Sequence, residues 1–158
     1  MATGFPKPRD LPRLTDARIA VVAARFNGHI ADELLRGCIE RLGELGVTAP
    51  QFVERVPGAF ELPVAAKLLA DRKDIEAVIC LGCVIRGDTP HFDYVAGECA
   101  RGVQQVAVSS GKPVIFGVLT TNTEQQALDR AGGSHSHAGR NAADVAVEMI
   151  AFCRGARA

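Results

Sequence analysis

Apolar runs of strand length alternate with stretches whose apolar residues recur at helical spacing, and no other feature restricts this chain's fold as strongly. IAVVAA (19–24) is continuously apolar, as a strand covered on both faces must be. Ile30, Leu34, Leu35, Cys38, Ile39 and Leu42 then follow at helical intervals, with Gly46 as the stop. QFVERV (51–56) reads as a second strand ending at Pro57-Gly58, and a helix from about Phe60 to Asp71 carries Leu62, Val64, Ala65, Leu68 and Leu69. EAVICLGCVI (76–85) is the third strand and the most apolar, and Phe92, Val95, Cys99, Val103 and Val106 mark a helix running to Ser110-Gly111. PVIFGVLT (113–120) is the fourth strand, and helical stretches at roughly 124–131 and 140–153 flank the loop GGSHSHAG (132–139).

Strands separated by helices of this length pair in parallel, so the pattern predicts an α/β three-layer sandwich with a four-stranded parallel sheet and helices on both faces. Right-handed crossovers then bring every strand-to-helix corner to one edge of the sheet, where open α/β sheets bind ligands. The corners are RFNGH (25–29), VPGAFE (56–61), RGDTPH (86–91) and LTTNTEQ (119–125).

With 158 residues the chain reads as a single domain, 1–158, long enough to enclose a core. Pro6, Pro8 and Pro12 make residues 1–16 an extended N-terminal arm. Eighteen basic residues balance eighteen acidic ones, which argues against a nucleic-acid partner, since phosphate backbones demand a basic field. No apolar run is long enough for a membrane span, and the first residues lack a hydrophobic signal core, so the expected location is the cytoplasm. The five cysteines sit in apolar patterns and read as buried free thiols. Cys80 and Cys83 form a C-x-x-C inside a strand, where side chains three apart face opposite ways and cannot share a metal.

The first corner has no G-x-G-x-x-G, so a dinucleotide fingerprint is absent. Phe26, beside Asn27, either stacks on a flat heterocycle or staples the helix start. Glu61 is favoured by a helix dipole in any case, and can equally hydrogen-bond a polyol or a ring edge. The third corner is richer. Gly87 permits close backbone approach, amides at the start of the next helix can hold an anion, Thr89 adds a hydroxyl, and Pro90 suits a first helical turn. His91 stands there with a reference pKa near neutrality, as proton transfer requires; the bland alternative is a surface histidine ending a loop. Phe116 lies on an apolar run and reads as core. Arg130 either complements a helix C-terminus or grips a phosphate. His135 and His137 lack further ligands at metal-binding spacing, so a flexible loop is expected rather than a metal site.

Taken together, ARFNGHI (24–30), VPGAFELP (56–63), LGCVIRGDTPHFDYV (81–95), VIFGVLTTNTEQQALDRAG (114–132) and VAVEM (145–149) resemble the lumazine synthase family, from about residue 18 to residue 150. The resemblance implies a flavodoxin-like fold. It also implies an enzyme of riboflavin biosynthesis that condenses 5-amino-6-ribitylaminouracil with 3,4-dihydroxy-2-butanone 4-phosphate, without metal or redox cofactor. By the same resemblance Phe26 stacks on the pyrimidine, with Asn27 beside it. Ala59 and Glu61 meet the ribityl chain, and Val84 and Ile85 the ring edge. Asp88 and Thr89 occupy the phosphate loop, and His91 transfers protons. Phe116 and Arg130 match residues supplied by the neighbouring subunit of a homopentamer, with Arg130 on the phosphate. Assemblies in the family range from pentamers through decamers to closed shells, and association with riboflavin synthase is a further implied partner. A proline-rich arm can pair with a neighbour's sheet edge.

One departure stands out. Where many members carry a glycine-asparagine-lysine-glycine run, this chain has GSHSHAGRN, with Ala138 at the lysine; Arg140, His135 or His137 would have to supply any substitute contact. Competing readings are a flavin- or lumazine-binding protein without turnover and a shell-forming protein. Thr89 and Arg130 favour catalysis, because a finished lumazine has no phosphate to hold.

Overall fold

A computed structural model describes residues 10–158. Its elements run β1 (Ile19–Ala24), α1 (Gly28–Glu44), β2 (Phe52–Val56), a 3-10 turn (Ala59–Glu61), α2 (Leu62–Ala70), β3 (Ala77–Ile85), α3 (His91–Ser110), β4 (Val114–Thr121), α4 (Glu124–Arg130) and α5 (Ala138–Ala156). The strands form one parallel sheet in the order β2-β1-β3-β4. The three-layer sandwich expected from the sequence is the fold observed.

Two separate cores explain the layers. One face of the sheet, with Val21, Ile79 and Ile115, packs on Leu34, Cys38 and Leu42 of α1 and on Ala143, Val147 and Ile150 of α5. The other face, with Val22, Val78 and Val118, packs on Leu62, Ala66 and Leu69 of α2 and on Cys99 and Val103 of α3. Each fully buried leucine or isoleucine in these layers contributes about 1.5–3 kcal/mol through removal of apolar surface from water. Cys80 belongs to the second core and Cys83 to the first, so the C-x-x-C pair is split by the sheet as the strand period demands. Four of the five cysteines are buried thiols; Cys153 is the exception and is partly exposed.

α1 and α5 approach closely because of glycine. A Cβ on Gly139 would lie 2.0 Å from the carbonyl oxygen of Leu34, and one on Gly37 would lie 2.1 Å from the His137 ring. Arg41 of α1 completes the contact by donating to Asp144 of α5 at 2.6 Å.

The boundaries differ from expectation in a few places. Helix α2 is preceded by the 3-10 turn, which places Glu61 at its N-cap rather than within its first α-turn. Likewise Pro90 caps α3 instead of occupying its first turn. Helix α5 starts earlier, at Ala138, because His137 is the extended residue that caps it. The Gly111 stop, by contrast, is as read, with a left-handed φ of 65°.

Residues 1–9, where the expected arm begins, lie outside the described residues. Residues 10–16 form neither helix nor strand: Leu14 donates its backbone N–H to the carbonyl of Leu45 at 3.1 Å, and Leu11 and Leu14 pack against the α1–α5 core.

Candidate active site

Parallel pairing sends the C-terminal ends of all four strands to one edge, and hydrogen bonds between corners then fix them to one another. The backbone N–H groups of Arg25 and Phe26 donate to the carbonyls of Val56 and Pro57 at 2.8 and 3.0 Å, tying the first corner to the second. The side-chain amide of Asn27 donates to the carbonyl of Cys83 at 2.9 Å, tying the first corner to the third. The backbone N–H of Arg86 donates to the carbonyl of Thr121 at 2.9 Å, which brings in the fourth. His29 and Glu124 meet at 2.6 Å between the starts of α1 and α4.

A cleft of about 680 Å³ opens among the first three corners. Phe26 and Asn27 line it from the end of β1, Ala59 and Glu61 from the 3-10 turn, Val84 and Ile85 from the end of β3, and Thr89 and His91 from the start of α3. Its position beside the ends of β1 and β3, where the strand order reverses direction, is the switch point at which doubly wound sheets bind ligands.

Each wall has a local cause. Phe26 is not core: it is 71 % exposed and stands at the cleft mouth. The next residue explains its direction. Asn27 has a left-handed backbone (φ 53°), the single non-glycine of that kind among the described residues, and the turn it makes starts α1 while leaving Phe26 outside. Asparagine tolerates this conformation better than most residues. Its amide is committed to the scaffold through Cys83, so in the isolated chain Asn27 shapes the cleft rather than offering that donor to it. Gly58 lies directly under Glu61, with an added Cβ 3.3 Å from its carboxylate.

In the third corner the hydroxyl of Thr89 accepts from the backbone N–H of His91 at 3.4 Å, a long bond. An added Cβ on Gly87 would meet nothing within 4 Å, and φ at Gly87 is not positive, so neither packing nor backbone strain calls for glycine there. Asp88 sits exposed on the outside of this corner and does not line the cleft. His91 is exposed at the cleft wall.

Two candidates are elsewhere. Phe116, expected to be core, is 41 % exposed because β4 is an edge strand with no further strand beside it. It lines a second, apolar groove of about 690 Å³ along β4, between α3 and α5, and Ala138 lines the same groove. Arg130, the last residue of α4, is absent from the His91 cleft, and its guanidinium donates back to the carbonyl of Gln126 at 2.9 Å. The bland reading of Arg130 as partner to its own helix carbonyls therefore holds within one chain.

The GSHSHAGRN segment is not a loose loop. Asp129 accepts from the backbone of His135 and Ser136 at 2.9 and 3.1 Å, Gly132 donates to Ser136 at 3.0 Å, and Ala131 bridges to His137. His137 turns inward onto Gly37 and Gly132, and both ring nitrogens are buried without a partner among the described residues. Burial, reinforced by the nearby cations Arg36 and Arg140, pushes its pKa below the usual histidine value. Arg140 is held by Glu44 at 2.7 Å. Of the residues considered as substitutes for the family lysine, only His135 remains exposed.

Phe60 and Tyr94 also line the cleft and are 57 % and 70 % exposed, and sequence reasoning passed over both. A cue existed for Tyr94: it lies three residues after His91 on one helix, hence on the same face. Phe60 gave none beyond its place beside Glu61.

The family model described as 6,7-dimethyl-8-ribityllumazine synthase matches residues 16–154. The chain is similar to a 6,7-dimethyl-8-ribityllumazine synthase of Thermus thermophilus, at 47% identity over 91% of this chain and 94% of the relative. A protein of the same description from Porphyromonas gingivalis is 44% identical over 98% of this chain and 99% of its own length. A further one, from Streptomyces avermitilis, is 50% identical over 88% and 86%. With its corners at one sheet edge, its cleft at the switch point and relatives matched over nearly their full lengths, the chain belongs to the 6,7-dimethyl-8-ribityllumazine synthase family.

Proposed function

We propose that the chain condenses 5-amino-6-ribitylaminouracil with 3,4-dihydroxy-2-butanone 4-phosphate to give 6,7-dimethyl-8-ribityllumazine. The observation that carries this reading is the joining in one cleft of an exposed aromatic, a carboxylate, a hydroxyl and an imidazole at the start of a long helix. Phe26 offers a face for the pyrimidine, Val84 and Ile85 an apolar edge, and Glu61 with the backbone near Ala59 an acceptor for ribityl hydroxyls. Thr89, the open backbone at Gly87 and the first amides of α3 suit the phosphate, with Asp88 on the outer side of that corner.

The chemistry follows from these positions. The pyrimidine's primary amine adds to the ketone, and water leaves as the imine forms. Loss of the proton from the hydroxyl-bearing carbon then expels inorganic phosphate, the enol so formed tautomerises to a new carbonyl, and attack on it by the ribitylamino nitrogen closes the ring as a second water leaves. Each stage moves protons, and His91 is the imidazole at the cleft wall placed to accept and return them. Departing phosphate requires fixed donors and positive charge. In this reading Arg130 of a neighbouring subunit brings that charge and Phe116 of the same neighbour closes the cleft over the ring. The separation of both residues from the His91 cleft within one chain supports a site completed between subunits, as does the apolar groove along β4 that a second copy would cover. A homopentamer, or a multiple of it, satisfies that arrangement. The reaction would take place in the cytoplasm, and a riboflavin synthase is the partner to which the product would pass.

The test is reconstitution. Purified protein given both substrates should release inorganic phosphate and form a fluorescent lumazine in equal amounts. A protein that binds the pyrimidine and releases no phosphate would overturn the reading.

A further inference from the structure

Arg86 has no part in the chemistry described so far, yet it is the most heavily engaged side chain of the third corner. It is the first residue after β3, and its backbone N–H donates to the carbonyl of Thr121, carrying the β3–β4 pairing past Ile85. Its Nε donates to Oδ1 of Asn122 at 3.1 Å and its Nη2 to Oδ1 of Asp93 at 3.1 Å. The guanidinium also lies over the Phe92 ring, 4.2 Å from the centroid. Asp93 and Phe92 belong to the first turn of α3, and Asn122 to the connection between β4 and α4. Arg86 therefore reaches from one end of the 87–90 segment to a point past its other end, and it fastens both to the fourth corner.

The segment so enclosed has few ties of its own. Gly87 has open space on its side-chain position, and the internal bonds are the long contact between the His91 N–H and Thr89 and the turn from the Asp93 N–H to the Pro90 carbonyl at 3.0 Å. Stability does not account for the arrangement, because exposed ion pairs contribute little. Placement does: a planar fork bound on two sides and stacked on a third has one orientation, which a lysine cannot reproduce.

We infer that Arg86 is the positioning residue for the phosphate of the substrate, holding the 87–90 backbone and the first turn of α3 in the one geometry that receives the anion. The inference rests on the proposed reaction for the identity of the phosphate ester. The guanidinium's charge is paired with the Asp93 carboxylate at 3.1 Å and its plane is stacked on Phe92, so the residue acts on the corner's shape and not as the phosphate's own counter-ion.

Steady-state kinetics of Arg86→Lys, Asp93→Asn and Asn122→Ala separate these roles. A staple predicts that Arg86→Lys and Asp93→Asn each raise KM for the ketose phosphate by about tenfold, with the KM for the pyrimidine changed by less than about twofold. Asn122→Ala should give a smaller rise in the same constant. If Arg86 contacted the phosphate directly, Asp93→Asn would free the cation and tighten binding, and Arg86→Lys would keep most of the affinity; either result overturns the inference. So would equal rises in both KM values, which would signal general disorder of the cleft. Calorimetric binding of inorganic phosphate to the same proteins gives an independent reading: wild-type affinity should fall about tenfold in Arg86→Lys, and unchanged affinity sinks the inference. Failure of the wild type to form lumazine while this phosphate pattern holds would count against the proposed reaction and not against the staple.

Discussion

The side-chain amide of Asn27 donates to the carbonyl oxygen of Cys83 at 2.9 Å, joining the ends of the two central strands at the point where the cleft opens. Because Asn27 also adopts the left-handed backbone that turns Phe26 outward, one residue sets both the floor of the cleft and its exposed aromatic.

Replacement of Asn27 tests this double duty. Asn27→Val loses the bond and places a β-branched residue at positive φ, which should destabilise the fold by about 1–3 kcal/mol. Asn27→Gly keeps the backbone freedom and should lose less. Urea denaturation read as the shift in midpoint compares them, and equal losses would show that backbone conformation is not the issue.

His91→Ala should lower kcat by roughly 10²-fold or more, the scale of lost acid–base help. Arg130→Ala should mainly raise KM for the phosphorylated substrate. If the site is shared between subunits, co-refolding the two variants in equal amounts should give roughly a quarter of the wild-type sites, read at ketose-phosphate concentrations well below the raised KM, since each revived site draws intact His91 from one chain and intact Arg130 from its neighbour. Activity that stays at the level of the separate variants would place both residues in one chain's site.

Gly37 and His137 form a matched pair across α1 and α5. Gly37→Ala would force a methyl to within 2.1 Å of the His137 ring and should cost about 1–3 kcal/mol by overpacking. Adding His137→Ala should remove most of that cost, a coupling that a double-mutant cycle measures. Additive losses would mean that the ring moves aside freely.

The same histidine predicts a pH dependence of stability. Burial holds its pKa in the fold below the usual histidine value of about 6.5, with Arg36 of α1 and Arg140 of α5 also opposing protonation and Glu33 and Glu40 of α1 favouring it. The unfolded chain then binds the proton more readily, so this contribution is fully present above about pH 6.5 and is lost as pH falls from there towards the depressed value. Thermal unfolding between about pH 7 and pH 5 should show a fall that is shallower in His137→Gln, whose amide does not titrate. Parallel curves would contradict the assignment.

The strands and helices were legible because their periods are local: IAVVAA can only be buried on both sides, and Leu34, Cys38 and Leu42 can only face one way along a helix. The meeting of the corners was legible too, since parallel pairing with right-handed crossovers leaves no other edge for them. Phe26, Glu61, Thr89 and His91, from three different corners, line one cleft for this reason. Phe116 shows where such reading stops. Its neighbours along β4 are buried, and in a central strand it would be core; only the placement of β4 at the edge of the sheet leaves it exposed. His137 is the converse, a polar residue in a glycine-rich segment that looks loose until α1 supplies Gly37 as its slot.

The amino-acid order alone determined the elements, their parallel pairing and the edge at which chemistry gathers, because each follows from periodicity within a few residues and from the handedness of the crossover. Tertiary structure alone decided which strand is outermost, which polar side chain is buried and how Arg86 closes its corner, because those outcomes depend on partners far away in the chain whose contacts no local pattern records.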